Sequence, residues 1–105
     1  GWLNLSLERL KRLILFEIFD MEIEYSSHFR DAYKKLSPEV QKRAEKKESI
    51  FRKNPFDPRL KTHKLQGRLR EFYSFSIDRK NRIVFKLVSR HEAVFLDIGD
   101  HDVYR

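Results

Sequence analysis

Asp78-Arg79-Lys80-Asn81-Arg82-Ile83-Val84-Phe85-Lys86-Leu87-Val88 is the stretch on which the fold turns. Its first four residues are turn formers, and the rest alternate like a strand with one buried side. Ile83, Phe85 and Leu87 fall on one face; Arg82, Val84 and Lys86 fall on the other. Upstream, Leu69, Glu71, Tyr73, Phe75 and Ile77 alternate with Arg70, Phe72, Ser74 and Ser76, which predicts the partner strand of a hairpin. Downstream, Ser89-Arg90-His91-Glu92 predicts another turn, into a last strand Ala93-Val94-Phe95-Leu96-Asp97-Ile98. The second half of the chain therefore predicts three consecutive strands.

The half before it is mostly helical. Met21-Glu22-Ile23-Glu24-Tyr25 alternates as a first strand. Ser26 and Ser27 can cap a helix that carries Phe29, Ala32, Tyr33 and Leu36 on one side. Ser37-Pro38-Glu39 starts a second helix with a capping serine, a first-turn proline and an acid at the positive end of the dipole. Val40, Ala44, Ile50 and Phe51 form its buried side, and Asn54-Pro55 ends it. The order β-α-α-β-β-β predicts an α+β domain, a curved antiparallel sheet packed on an N-terminal helical hairpin. The open face of that sheet would carry Arg82, Lys86 and the basic loop before Gly67.

Residues 1–20 stand apart. Leu3, Leu7, Leu10 and Ile14 recur at helical spacing, yet the chain's one methionine is Met21. We expect residues 1–20 to be an extension, and residues 21–105 to be the domain proper. An apolar stripe of this kind needs a cover, from the domain or from another chain; occupation of a groove on the domain in cis is one way to supply it.

Composition bounds the function. A chain of 105 residues makes one domain with one modest core. No cysteine means no disulfide framework and no thiolate zinc site, which suits the reducing cytoplasm expected for it. No apolar run approaches the ~20 residues that span a bilayer. Charge is uneven: from Arg59 to Arg90 there are ten Lys/Arg and two acids, a net of +8, while the remainder holds 13 basic and 14 acidic residues. A concentrated basic field attracts a polyanion, and nucleic acid is the commonest; the same pattern also describes a solvated basic face. Lys61, Lys64, Arg68, Arg70, Arg79, Lys80 and Lys86 fit contacts to backbone phosphates better than readers of base sequence.

The last strand runs into Gly99-Asp100-His101-Asp102-Val103-Tyr104. Histidine exchanges protons near neutrality, and at the end of a strand it can project from a rigid sheet towards a substrate. The segment also reads as a polar C-terminal turn. The four histidines, His28, His63, His91 and His101, lack metal-ligand spacing, so neither a metal nor a cofactor is expected.

A chain of this order and size with Lys61-Thr62-His63-Lys64-Leu65-Gln66-Gly67, then Arg82-Ile83-Val84-Phe85, then Gly99-Asp100-His101-Asp102-Val103-Tyr104 resembles the RelE/ParE superfamily of bacterial toxins. It looks closest to the RelE-type branch that cleaves messenger RNA on the ribosome and is restrained by a cognate antitoxin. The resemblance covers residues 21–105. It implies that His101 transfers protons, Arg82 binds the scissile phosphate and Tyr104 positions or stacks on the substrate, with His63 matching a histidine of one branch. Some relatives carry further acid–base groups where Ser74 and Ser76 stand here. It implies an endoribonuclease that needs no metal, with the RNA 2′-hydroxyl as nucleophile, and an antitoxin, messenger RNA and the ribosome as partners. Each residue has a plainer role open to it: Arg82 as a cross-strand ion-pair partner, Tyr104 as a core anchor, His63 as a loop residue. Two other functions share the fold: a ParE-like inhibitor that binds DNA gyrase, and a non-catalytic RNA-binding module or decayed toxin.

Overall fold

The computed structural model describes residues 20–100, together with Leu7. The expected extension, apart from Leu7 and Asp20, and the C-terminal residues His101 and Tyr104 thus lie outside the described residues. Five strands and two helices follow one another: β1 (Glu22–Tyr25), α1 (Ser27–Lys34), α2 (Pro38–Lys53), β2 (His63–Lys64), β3 (Tyr73–Ser76), β4 (Arg82–Ser89) and β5 (Glu92–Gly99), with single 3₁₀ turns at Pro58–Leu60 and Gly67–Leu69.

Both helices start as the sequence predicts. Ser26 accepts from the backbone N–H of Phe29 at 3.0 Å, and Ser37 accepts from that of Val40 at 3.3 Å, with Pro38 in the first turn. Ser26 also ties α1 to the sheet, donating from its hydroxyl to Leu96 O at 3.1 Å.

The sheet runs β1-β5-β4-β3-β2 and is mixed, which corrects the expectation of a wholly antiparallel one. β1 pairs with β5 in parallel, Ile23 opposite Ala93 and Tyr25 opposite Phe95. Alternation marks a half-buried strand but does not encode the direction of its neighbour. The helical hairpin lets the chain cross over to start the sheet again on its far side, and β5 then returns alongside β1. The long partner strand expected from Leu69 is also shorter: Gly67–Leu69 is a 3₁₀ turn, and Gly67 takes φ +67°, a conformation open to glycine without steric cost. β2, expected as loop, supplies the far edge instead.

α2 lays Phe51 on the sheet, where it stacks on Phe75 at 5.1 Å and meets Phe85 and Phe95 edge-on at 4.8 and 5.1 Å. All four rings are fully buried. Each such ring pair contributes about 0.5–1.5 kcal/mol beyond area burial, so this quartet is the centre of the core. Leu60, Ile83, Ala93 and Ile98 surround it, and Met21 and Phe29 extend it to the β1 edge. Among the described residues no helix is long and apolar enough to cross a membrane.

Candidate functional site

The face of the sheet turned away from the helices is set by β4. Arg82, Val84 and Lys86 share it, and register adds Ser76 opposite Arg82, Ser74 opposite Val84, and His63 opposite Ser74. This gathers Arg82 and Lys86 from β4 and His63 from β2 onto one surface. Its middle is closed: Ser74 and Val84 are both buried. The expectation of a fully open face holds at the rims, where Arg82 is half-buried and Lys86 and His63 are exposed.

Arg82 is tied on its β3 side and has room on its β5 side. Its Nη1 donates to Ser76 Oγ on β3, and on β5 it faces Gly99, which brings no side chain into its space. The turn before it is built by Asp78, whose Oδ1 accepts from the backbone N–H groups of Lys80 at 2.9 Å and Asn81 at 2.8 Å and from Asn81 Nδ2 at 3.1 Å. Arg43 Nη1 donates to Asp78 Oδ2 at 3.2 Å. Burial would push this carboxyl up, but the donors from Asn81, Lys80 and Arg43 outweigh it and hold it below the usual carboxylate range. The Asp78 charge is thus committed to the turn and to Arg43. Arg79 and Lys80 project from its tip, exposed.

The remaining sequence-selected cations spread along the β2 edge. Lys61 caps the first 3₁₀ turn at φ 53°, the left-handed region that costs a side-chain-bearing residue about 1–2 kcal/mol. His63 Nδ1 lies 3.2 Å from Lys61 O. Lys64 pairs with Tyr73, placing it on the helix side, opposite in sense to His63. Arg68 and Arg70 are exposed around the second 3₁₀ turn. The structure therefore brings Arg82, His63 and Lys86 to one face, puts Arg79 and Lys80 at its end, and leaves Lys61, Lys64, Arg68 and Arg70 around its edge. The proposed proton donor His101 and the aromatic Tyr104 lie outside the described residues, one and four positions beyond Asp100.

Two polar clusters escaped the sequence reading. His28, in the first turn of α1, places Nε2 3.2 Å from Asp97 Oδ1, which also accepts from Ile98 N at 2.8 Å. The pair borders an open groove of about 540 Å³ between α1 and the ends of β4 and β5, lined also by Asn81 and Asp100. Nothing in the spacing of residues 28 and 97 signals this contact, which depends on α1 covering the part of β5 that β1 leaves unpaired. The second cluster joins β1 to α2. Tyr25 donates to Glu48, and Arg52 Nη2 reaches Glu48 Oε1 at 3.1 Å and Tyr25 Oη at 3.3 Å. Burial, then the Glu48 carboxylate, pushes the Tyr25 phenol up to about 12 against the opposing pull of Arg52. A groove of about 460 Å³ opens there, floored by Tyr25, Phe29 and Tyr33 and rimmed by Glu45 and Glu48. The i,i+4 spacing of Glu48 and Arg52 was the available signal for half of this cluster. Among the described residues no three acid, histidine or cysteine side chains gather as a metal site.

Comparison places the fold. No protein-family model and no curated protein sequence matches the chain. Solved structures do match. The YoeB/ParE toxin from Agrobacterium tumefaciens superposes with a TM-score of 0.66 at 16% identity, over 77% of this chain and 99% of that one. The RelBE2 toxin–antitoxin complex from Mycobacterium tuberculosis gives 0.66 at 15% identity, over 78% of this chain and 99% of that one. YafQ from E. coli gives 0.59 at 19% identity, over 80% and 97%. The likeness is one of fold: two helices on a five-stranded mixed sheet that does not close.

Proposed function

We propose that the chain is the toxin of a toxin–antitoxin pair and acts as an endoribonuclease on messenger RNA at the ribosome, without a metal. The observation that carries this reading is Arg82: a guanidinium at the start of a central strand, tied to Ser76, facing Gly99, on the rim of a basic sheet face. The fold shared with YoeB, RelBE2 and YafQ toxins supports it, and one of those neighbours was solved as a toxin–antitoxin complex.

The chemistry assigns a part to each group. The RNA 2′-hydroxyl attacks the adjacent phosphorus as its proton passes to solvent water. Charge builds on the phosphorane oxygens, and the bond to the 5′-oxygen breaks as that oxygen takes a proton. Arg82 stabilises the charge where it develops, and its planar fork matches two phosphate oxygens. His101 supplies the proton to the 5′-oxygen, an effect of about 10²–10⁴-fold. Tyr104 positions the nucleotide. Lys86, His63, Arg79 and Lys80 hold the strand by its phosphates, with Lys61, Lys64, Arg68 and Arg70 extending the path. A cognate antitoxin is the second partner.

The test is primer extension on translated messages after brief induction of the full chain, beside His101→Ala and Arg82→Ala. New 5′ ends within reading frames that vanish in both variants are expected. Growth arrest with intact messages would overturn the nuclease reading in favour of a gyrase-directed toxin; neither effect would leave a binding module.

A further inference from the structure

Among the described residues the exposed large apolar side chains are Leu7, Phe56 and Val88, and of these only Phe56 is aromatic. Phe56 is 52% exposed, yet the loop beneath it is firmly built. Phe56 N donates to Asn54 Oδ1 at 3.0 Å, Asp57 N to Asn54 O at 3.1 Å, and Thr62 Oγ1 to Pro55 O at 2.6 Å. Asp57 then accepts from Arg59 N at 2.9 Å and Nε at 3.0 Å. The ring meets Tyr73 edge-on at 5.6 Å, and Tyr73 in turn stacks on the buried Phe85 at 5.5 Å. A rigid aromatic step therefore rises from the core to the surface at the β2 edge of the sheet.

Its surroundings are cationic. From Lys53 to Tyr73 the chain holds six Lys/Arg against Asp57 and Glu71, and Asp57 is already paired with Arg59. Lys64 lies opposite Tyr73 in the ladder, and the Thr62 bond to Pro55 sets Lys61 and His63 beside the loop. A single exposed aromatic ring, backed by Tyr73 and flanked by cations, lacks the wider exposed apolar surface that an apolar protein anchor needs. It is well suited to a nucleobase, whose face stacks on the ring while its phosphates meet the lysines.

We propose that Phe56, backed by Tyr73, is a base-stacking platform for one nucleotide of single-stranded RNA. This rests on the ribonuclease reading and adds a contact outside the cleavage chemistry. The strand would cross β2 from His63 on one face to Lys64 on the other.

The probe is a fluorescein-labelled 2′-O-methyl uridine 12-mer, which lacks the attacking hydroxyl, titrated with the full chain by fluorescence anisotropy across a salt series. Phe56→Ala weakens binding about 5- to 100-fold, the range one stacked base supplies, with the slope of log K against log salt unchanged because no charge is lost. Phe56→Leu weakens it similarly. Phe56→Trp retains affinity, and its emission above the wild-type Trp2 background is quenched on binding. Lys64→Ala instead flattens the salt slope by about 0.7. Wild-type affinity in Phe56→Ala, or in Phe56→Leu, would overturn the platform while leaving the nuclease reading intact. No binding by the wild-type chain at low salt, with no message cleavage in cells, would bring down both.

Discussion

Ser76→Ala isolates what the hydrogen bond from Arg82 contributes, since it removes the accepting hydroxyl and leaves the guanidinium in place. A hydrogen bond to a charged group contributes about 1.5–3 kcal/mol when buried. Ser76 and Arg82 are only half-buried, so water recovers part of that and about 1 kcal/mol remains. As orientation of the transition-state contact, this corresponds to a roughly five-fold loss of the cleavage rate. Arg82→Ala removes the cation itself and is expected to cost about 10²–10³-fold. If Ser76 acts only through Arg82, the double variant cleaves no more slowly than Arg82→Ala, and the cycle closes with a coupling of about 1 kcal/mol. The assay is single-turnover cleavage of a defined message on purified ribosomes, at saturating protein, following the new 5′ end. Independent, multiplying effects would refute the positioning role. A Ser76→Ala loss as large as that of Arg82→Ala would mean that the serine itself touches the substrate.

Phe51→Ala should cost about 3–5 kcal/mol of stability in urea unfolding, since it empties the middle of the ring quartet; a loss under about 1.5 kcal/mol would show that the core collapses around the gap. Tyr25 keeps its proton more tightly in the folded chain, with a pKa near 12, than an unfolded tyrosine near ~10. Its contribution is therefore complete below pH ~10 and is lost as pH rises towards 12; the alkaline fall in stability should be shallower in Tyr25→Phe. The Asp57 carboxyl, hydrogen-bonded by the Arg59 side chain and backbone, should titrate near 2 by carboxyl NMR and move back towards its ordinary value in Arg59→Ala. The sign is opposite to that of Tyr25: whatever this pair contributes is present above the unfolded carboxyl's pKa and is lost as pH falls towards 2.

Local chemistry was legible wherever a residue's partner lay nearby in the chain. The serine caps at 26 and 37, the proline in the first turn of α2 and the turn at Asp78–Asn81 all act within three residues. Alternation along β4 placed Ile83 and Phe85 in the core and Arg82 and Lys86 on the opposite face. What alternation does not carry is strand direction, so the parallel β1–β5 pairing came only with the structure. Nor does it reveal where a strand yields to a turn: Leu69 and Glu71 kept the pattern, but Gly67 set the backbone into a 3₁₀ turn. The His28–Asp97 contact joins residues far apart in the chain and has no local mark. Phe56 was passed over because a phenylalanine in a loop sequence looks like a core residue until its exposure is known.

Among the described strands β5 comes last in the chain, yet it lies between β1 and β4 rather than at a margin. A nascent chain that ends before Glu92 holds the β4–β3–β2 ladder, while β1 has no strand to join. Phe95, which touches Phe51, Phe75 and Phe85, is also still missing. The two halves of the sheet can join only once β5 has left the ribosome. Long-range closure of this kind is slow compared with helix formation. Termination before Glu92 therefore removes the middle of the sheet.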